Sequence, residues 1–234
     1  RTPEFEVAFG EEIQDCYFFT VPDLANGQDL WIDRTVLALN PGSHHMNVFR
    51  VRTIMDLDPS LGEPIDMGGI AGRVIRGGEC WKSPNWSDWP LVANSQESSI
   101  DNPILDWPLP AGVASRFSPG EQLMLQVHYV NANTQETPYV GRAGINLYRS
   151  TDGDAMELGT LFATQQSIRV CRSNPQPRYS GTCAMPNGTH TVAAANGHFH
   201  SRGRRFQIFA WDGLSTTQPA DTDMFYDSRD CAEP

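Results

Sequence analysis

The segment DLWIDRTVLALNPGSHHMNVFRV, residues 29–51, carries the strongest indication of the fold. Two runs rich in aliphatic, aromatic and β-branched residues flank Pro41 and Gly42, which interrupt regular structure. The chain contains 20 Gly and 17 Pro, scattered too closely for long helices. Further short runs of this kind lie at residues 16–22, 122–130, 143–150, 158–170, 190–200, 204–213 and 224–228. Many short strands separated by turn signals predict an all-β sandwich or barrel.

The chain length of 234 residues allows one large β domain or two smaller ones. The polar, glycine-containing turn YRSTDGDAMELG, residues 148–159, is the weakest join, so we place a domain boundary near residue 153. The predicted domains are residues 1–153 and 154–234, and the second is short for an independent sandwich. Residues 74–96, rich in Trp, Pro, Gly and Ser, are predicted to form a long ordered loop.

The charge balance and the cysteines limit the partners and the compartment. The net charge of −11 makes nucleic acid and anionic membranes poor partners, and no apolar run reaches the length of a membrane span. The chain begins at Arg1, which we read as a processed product. Its five cysteines include no CxxC pair, which argues against a thiolate zinc site. We therefore expect an exported protein (secreted, periplasmic or at the cell surface) with a disulfide or two. Cys171 and Cys183 are the first candidate pair.

The histidines carry the functional signal. They are His44, His45, His128, His190, His198 and His200, all in or beside predicted strands. Adjacent strand residues face opposite sides, so His44 and His45 serve one purpose only if the backbone bends or the rings bind through their nearer nitrogens. The His198-x-His200 pattern places two rings on one strand face, which suits a copper, zinc or iron site. The alternative is that all are hydrogen-bonded core or surface residues.

Four segments together carry a family resemblance. They are residues 15–51, FSPGEQLMLQVHYVN at 117–131, GRAGINLY at 141–148 and HFHSRGR at 198–204. Their order of His-His-Met, a His-Tyr strand and His-x-His resembles the type II, ascorbate-dependent copper monooxygenases, the family of peptidylglycine α-hydroxylating and dopamine β-monooxygenases. The resemblance covers most of the chain.

The resemblance implies two tandem antiparallel β-sandwich, jelly-roll-like domains, each with one copper ion. The first copper would bind His44, His45 and His128, with Gln126 on the same strand face as a supporting residue. The second would bind His198 and His200, while His190 would be structural. Copper and O2 would then hydroxylate a C–H bond, with electrons from ascorbate or another external reductant. His198 and His200 would be the catalytic pair.

This chain departs from the family pattern at two places. The second family copper also takes a methionine thioether from a segment downstream of His-x-His, and the chain ends at Pro234 before such a segment, so we expect the second domain to be incomplete. Met224 is a weak substitute. Where peptide-hydroxylating members carry an arginine that holds a substrate carboxylate, this chain has Asn196. Peptide amidation is therefore disfavoured, and the substrate, a small molecule or a peptide, is left open.

Three functions are compatible with the sequence. The first is a copper-dependent monooxygenase, or a fragment of one. The second is an exported copper-binding protein of the same fold that performs no hydroxylation. The third is a purely structural β-sandwich whose histidines belong to the core. The combined histidine motif favours the first two, and the missing thioether segment favours the second.

Overall fold

The computed structural model describes residues 1–51, 74–75, 89–95, 103–161, 163, 165, 168–174, 177–199, 203–214 and 219–230. Short strands account for most of the regular structure, which confirms the all-β prediction. The strands are β1 Phe5–Val7, β2 Glu12–Thr20, β3 Leu30–Leu39, β4 Ser43–Arg50, β5 Val74–Ile75, β6 Leu91–Ser95, β7 Ile104–Pro108, β8 Val113–Phe117, β9 Gln122–Val130, β10 Tyr139–Gly141, β11 Ala143–Arg149, β12 Met156–Glu157, β13 Phe206–Phe209 and β14 Met224–Ser228. A 3-10 helix, Asp221–Asp223, precedes β14. Among these residues no helix has the length and hydropathy of a membrane-spanning segment.

Two larger sheets build the sandwich. The front sheet has the strand order β5-β2-β9-β4-β6, with every neighbouring pair antiparallel. The back sheet has the order β11-β3-β8-β12, with β7 also pairing with β3. Its pairs are antiparallel except for the short parallel pair of β8 and β12. The segment predicted as a loop at residues 74–96 contains β5 and β6, and much of it lies outside the described residues.

The core lies between the two sheets and takes one face of each strand. Met46 and Val48 of β4 and Val127 of β9 pack with Leu37 and Leu39 of β3, and none of the five is more than 5% exposed. Each such burial contributes about 1.5–3 kcal/mol. Because strand residues alternate between faces, the residues between them lie on the other side of the front sheet.

That other side of the front sheet is also buried. Phe18, Phe49, Met124 and Gln126 alternate with the core residues, and each is at most 2% exposed. A sheet buried on both faces reads as a nearly continuous apolar run, as QLMLQVHYV does in β9. His45 of β4 and His128 of β9 therefore belong to a covered face of the sandwich.

The described residues after Glu157 contain less regular structure. β13 pairs antiparallel with β14, whereas residues 158–170 and 190–200 contain no strand at their described positions. The prediction of strands there is wrong, because their apolar side chains find no sheet edge to join. Leu161, Ile168, Val170 and Val192 are all about half exposed. The first sheets extend through Glu157, and a domain boundary near residue 153 stays a prediction.

The cysteines differ from the predicted disulfide pairing. Cys171 and Cys183 are both free and exposed, so the predicted bond between them is wrong. Cys171 instead forms a backbone bridge with Asn174, which closes a tight local turn. Cys16 of β2 is disulfide-bonded.

Candidate metal centre

A β-bulge in β4 explains the adjacent histidines. Ser43 pairs with Tyr129 of β9, and His45 pairs with the preceding residue, His128, so that His44 is an extra residue on β4. A bulge interrupts the alternation of side chains and bends the strand. Both rings therefore lie close to His128, and a bent backbone brings them together.

Gly42 forms the turn that precedes this bend, immediately before β4. Its φ of +95° lies in the left-handed region, which side chains with a Cβ adopt at a cost. The Tyr139 ring occupies the place where a Cβ would lie, and the Tyr139 hydroxyl donates to the Gly42 carbonyl at 2.9 Å. The turn before the bulge is therefore fixed from outside the strand.

Three imidazoles converge at the bulge. The ring centroids of His44 and His45 lie 5.1 Å apart, and each lies 4.9 Å from that of His128. One nitrogen from each ring can be chosen such that all three lie within 4.8 Å of one another. His45 and His128 are buried, whereas His44 is exposed. The cluster is thus open to solvent on the side of His44.

The separation of the two buried rings suits one metal ion. Nδ1 of His128 lies 3.2 Å from Nε2 of His45. Two nitrogens bound tetrahedrally to one ion at about 2.0–2.1 Å lie about 3.3 Å apart. An imidazole-only donor set suits copper, zinc or iron rather than calcium or magnesium. The residues present therefore fit the copper that the family resemblance implies.

Two residues of β2 contact His128 from its other side. The Glu12 Oε1 atom lies 2.7 Å from His128 Nε2, and the Glu12 side chain is 61% exposed. The Gln14 amide nitrogen lies 3.5 and 3.4 Å from the two ring nitrogens of His128. Gln14 pairs directly with His128, and Glu12 lies diagonally from it. Neither residue is predicted from the sequence, because an isolated EEIQ segment carries no metal-site signal.

Tyr129, which follows His128, belongs to the core and not to the centre. Its ring packs edge-on against Phe5 at 5.1 Å, and its hydroxyl donates to Asn40 Oδ1 and to the Arg142 carbonyl. Burial raises the pKa of Tyr129 well above its usual range. The hydroxyl therefore remains a proton donor at neutral pH.

Gln126, the proposed supporting residue, lies in a partly buried row of hydrogen-bonded amides next to the histidines. Asn94 of β6 donates to Asn47 Oδ1 at 2.5 Å, and Asn47 donates to Gln126 Oε1 at 2.7 Å. Asn47 and Gln126 lie two residues from His45 and His128 on the same strand face. These amide hydrogen bonds join β6, β4 and β9 next to the bulge.

His198 approaches the same cluster from the second part of the chain. Its ring centroid lies 5.2 Å from that of His45, with the rings nearly perpendicular. The preceding Gly197 donates its N–H to the Tyr226 hydroxyl at 2.8 Å, and a Cβ on Gly197 would lie 2.7 Å from the Phe206 ring. Phe199 stacks on Phe206. The β13–β14 pair thus holds the His198 segment in place.

The remaining predicted site residues lie elsewhere or are not described. His200 lies outside the described residues. The Met224 sulfur accepts a hydrogen bond from the Gln207 amide at 2.9 Å. His190 is exposed, and its Nε2 lies 2.6 Å from the Pro186 carbonyl. Asn196 is half-buried beside Gly197.

Comparisons with known proteins add no family assignment. No protein-family model, no curated protein and no solved structure matches this chain. Any functional assignment therefore depends on the histidine geometry and on the sequence motifs.

Proposed function

We propose that this chain is a copper protein in which His44, His45 and His128 hold one copper ion, and that it serves a copper-dependent monooxygenase reaction. In that reaction O2 and electrons from ascorbate or another external reductant hydroxylate a C–H bond of a small molecule or peptide. The observation that carries the proposal is the convergence of three imidazole nitrogens within 4.8 Å of one another. A bound copper ion would supply one-electron redox chemistry at this position.

The histidines have different roles in such a site. The front sheet fixes His45 and His128 in a buried, paired register, so their nitrogens need little reorganisation on binding. The exposed His44 ring completes the donor set on the solvent side, where an external reductant would approach. The His198 ring lies next to that of His45, and this position supports the proposal that His198 acts beside the first three rings. We retain His198 and His200 as the proposed oxygen-activating pair.

A second candidate function is an exported copper-binding protein without hydroxylase activity. Two observations favour it. The Met224 sulfur contacts Gln207, and His198 lies at the first cluster, so the described residues do not gather a thioether and His198 into a separate site. Export to an oxidising compartment is part of both proposals and agrees with the disulfide-bonded Cys16.

Copper loading tests both proposals. The purified protein is incubated with Cu(I) under anaerobic, reducing conditions, desalted and analysed for bound metal, with zinc as the competing ion. We expect at least one tightly held copper per chain. Near-zero copper would exclude both proposals. Copper binding with ascorbate-driven O2 consumption would support the monooxygenase, whereas copper binding without O2 consumption would leave the copper-binding protein.

A further inference from the structure

The contact between Glu12 and His128 has a consequence for metal binding. The carboxylate of β2, the imidazole of β9 and the imidazole of β4 lie in a row across three neighbouring strands. Glu12 Oε1 lies 2.7 Å from His128 Nε2, and His128 Nδ1 lies 3.2 Å from His45 Nε2. His128 is therefore held between a carboxylate on one side and the proposed metal position on the other.

Hydrogen-bond chemistry fixes the role of each nitrogen in this row. An ionised carboxylate only accepts hydrogen bonds, so Nε2 of His128 carries the proton that the short contact with Glu12 requires. Nδ1 of a neutral His128 then presents its lone pair, and it does so toward His45. A metal ion needs a lone pair of this kind, and Nδ1 is the nitrogen that faces the cluster.

We infer that Glu12 is a positioning residue for the metal centre: it holds His128 in the Nε2–H tautomer and increases the electron donation of Nδ1 to the bound ion. This inference rests on the proposed function. A carboxylate that accepts the second ring N–H of a metal-binding histidine orients the ring and raises its basicity, and removing such a partner lowers metal affinity about 10- to 100-fold. A stronger donor favours Cu(II) over Cu(I), so Glu12 also lowers the reduction potential.

The experiment compares Glu12→Ala, Glu12→Gln and the control Glu6→Gln. Glu6 is an exposed carboxylate on β1, so its substitution removes the same charge elsewhere. Affinities for Cu(I) and Cu(II) are measured separately by competition with chelators, and the reduction potential follows from their ratio. We expect Glu12→Ala to weaken Cu(II) binding about 10- to 100-fold. Cu(I) binding should weaken less, which raises the potential, and Glu12→Gln should fall between Glu12→Ala and wild type.

A second measurement needs no copper. Nitrogen-15 NMR of the metal-free protein reports the tautomer of His128, which we expect to be Nε2–H in wild type and mixed in Glu12→Ala. Unchanged affinities for both oxidation states, or equal losses for both with a lowered Tm, would overturn the inference while leaving the proposed function intact. Wild-type protein that binds no copper would reject the proposed function. If the wild-type protein binds no copper, the NMR result still tests whether Glu12 orients His128. An unchanged His128 tautomer in Glu12→Ala would reject that role, and a changed tautomer would support it.

Discussion

His45 and His128 lie opposite each other on neighbouring antiparallel strands, with Nε2 of the first 3.2 Å from Nδ1 of the second. They are separated by 83 positions along the chain, yet they form a buried pair of nitrogen donors. The pair is completed by His44 from the bulge and approached by His198 from the second part of the chain.

Replacing His128 with alanine should abolish one copper equivalent, because it removes the central ring of the three. The Tm should fall as well, because the substitution leaves a cavity on a buried face. Metal analysis after Cu(I) loading measures the first effect. His190→Ala is the matched control, since His190 is exposed and its ring contacts the Pro186 carbonyl. Full copper content in His128→Ala would rule out the proposed ligand set.

Deleting His44 should leave the sheet intact and remove copper binding. Ser43 and His45 already pair with the consecutive residues Tyr129 and His128, so the deletion converts the bulge into a regular ladder without shifting the flanking register. Hydrogen exchange of the β4 and β9 amides would report the intact ladder, and metal analysis would report the lost site. Loss of protection throughout β4 would show that the bulge is needed for the fold itself.

Replacing Asn47 with alanine should destabilise the sandwich by about 1–3 kcal/mol, because the buried amide oxygen of Gln126 loses its hydrogen-bond donor. Urea unfolding measures the change. Asn133→Ala, at an exposed loop position, should change the free energy of unfolding by less than about 0.5 kcal/mol. In a double-mutant cycle, Asn47→Ala and Gln126→Ala should cost less together than the sum of their separate effects. Strict additivity would contradict a shared amide chain.

Gly197→Ala should displace His198 from His45, because the added methyl group meets the Phe206 ring at 2.7 Å. We expect the copper content to persist, since His44, His45 and His128 are untouched. The Cu(II) EPR spectrum of Gly197→Ala should shift in the same direction as that of His198→Ala, while His190→Ala keeps the wild-type spectrum. Wild-type spectra for both Gly197→Ala and His198→Ala would place His198 outside the copper environment.

The ion pair between Arg205, which immediately precedes β13, and Asp227 of β14 should respond to acid. Hydrogen bonds from Arg205 at 2.6 and 3.0 Å hold the pKa of Asp227 below its usual 3.8. A carboxyl with a lowered folded pKa contributes stability above its unfolded pKa and loses it as the pH falls through the folded pKa. The contribution is small because both groups are partly exposed. Carboxyl-carbon NMR should show the pKa of Asp227 rising toward 3.8 in Arg205→Gln and unchanged in Arg204→Gln.

The failed strand predictions after Glu157 show where a local pattern is insufficient. Residues 158–170 contain an apolar run similar to those of β2 and β9, yet their described positions form no strand. A strand needs a neighbouring edge to satisfy its backbone groups, and a sequence pattern shows only that one face is apolar. The short pair of β13 and β14 formed at RRFQIFAWDG and MFYDS because each supplies the other with that edge.

The sequence by itself determined the all-β class and the main strands, because alternation and turn residues act over a few neighbouring positions. The grouping of His44, His45 and His128 was expected only from the family resemblance. Only the tertiary structure decided the bulge at His44, the contact of Glu12 with His128 and the approach of His198 to His45. Each of these depends on strand register or on packing between segments far apart in the chain. A shift of one residue in register would turn the side chains of Glu12 and His128 to the other face of their strands. The position of His198 depends instead on the packing of its segment against β13 and β14.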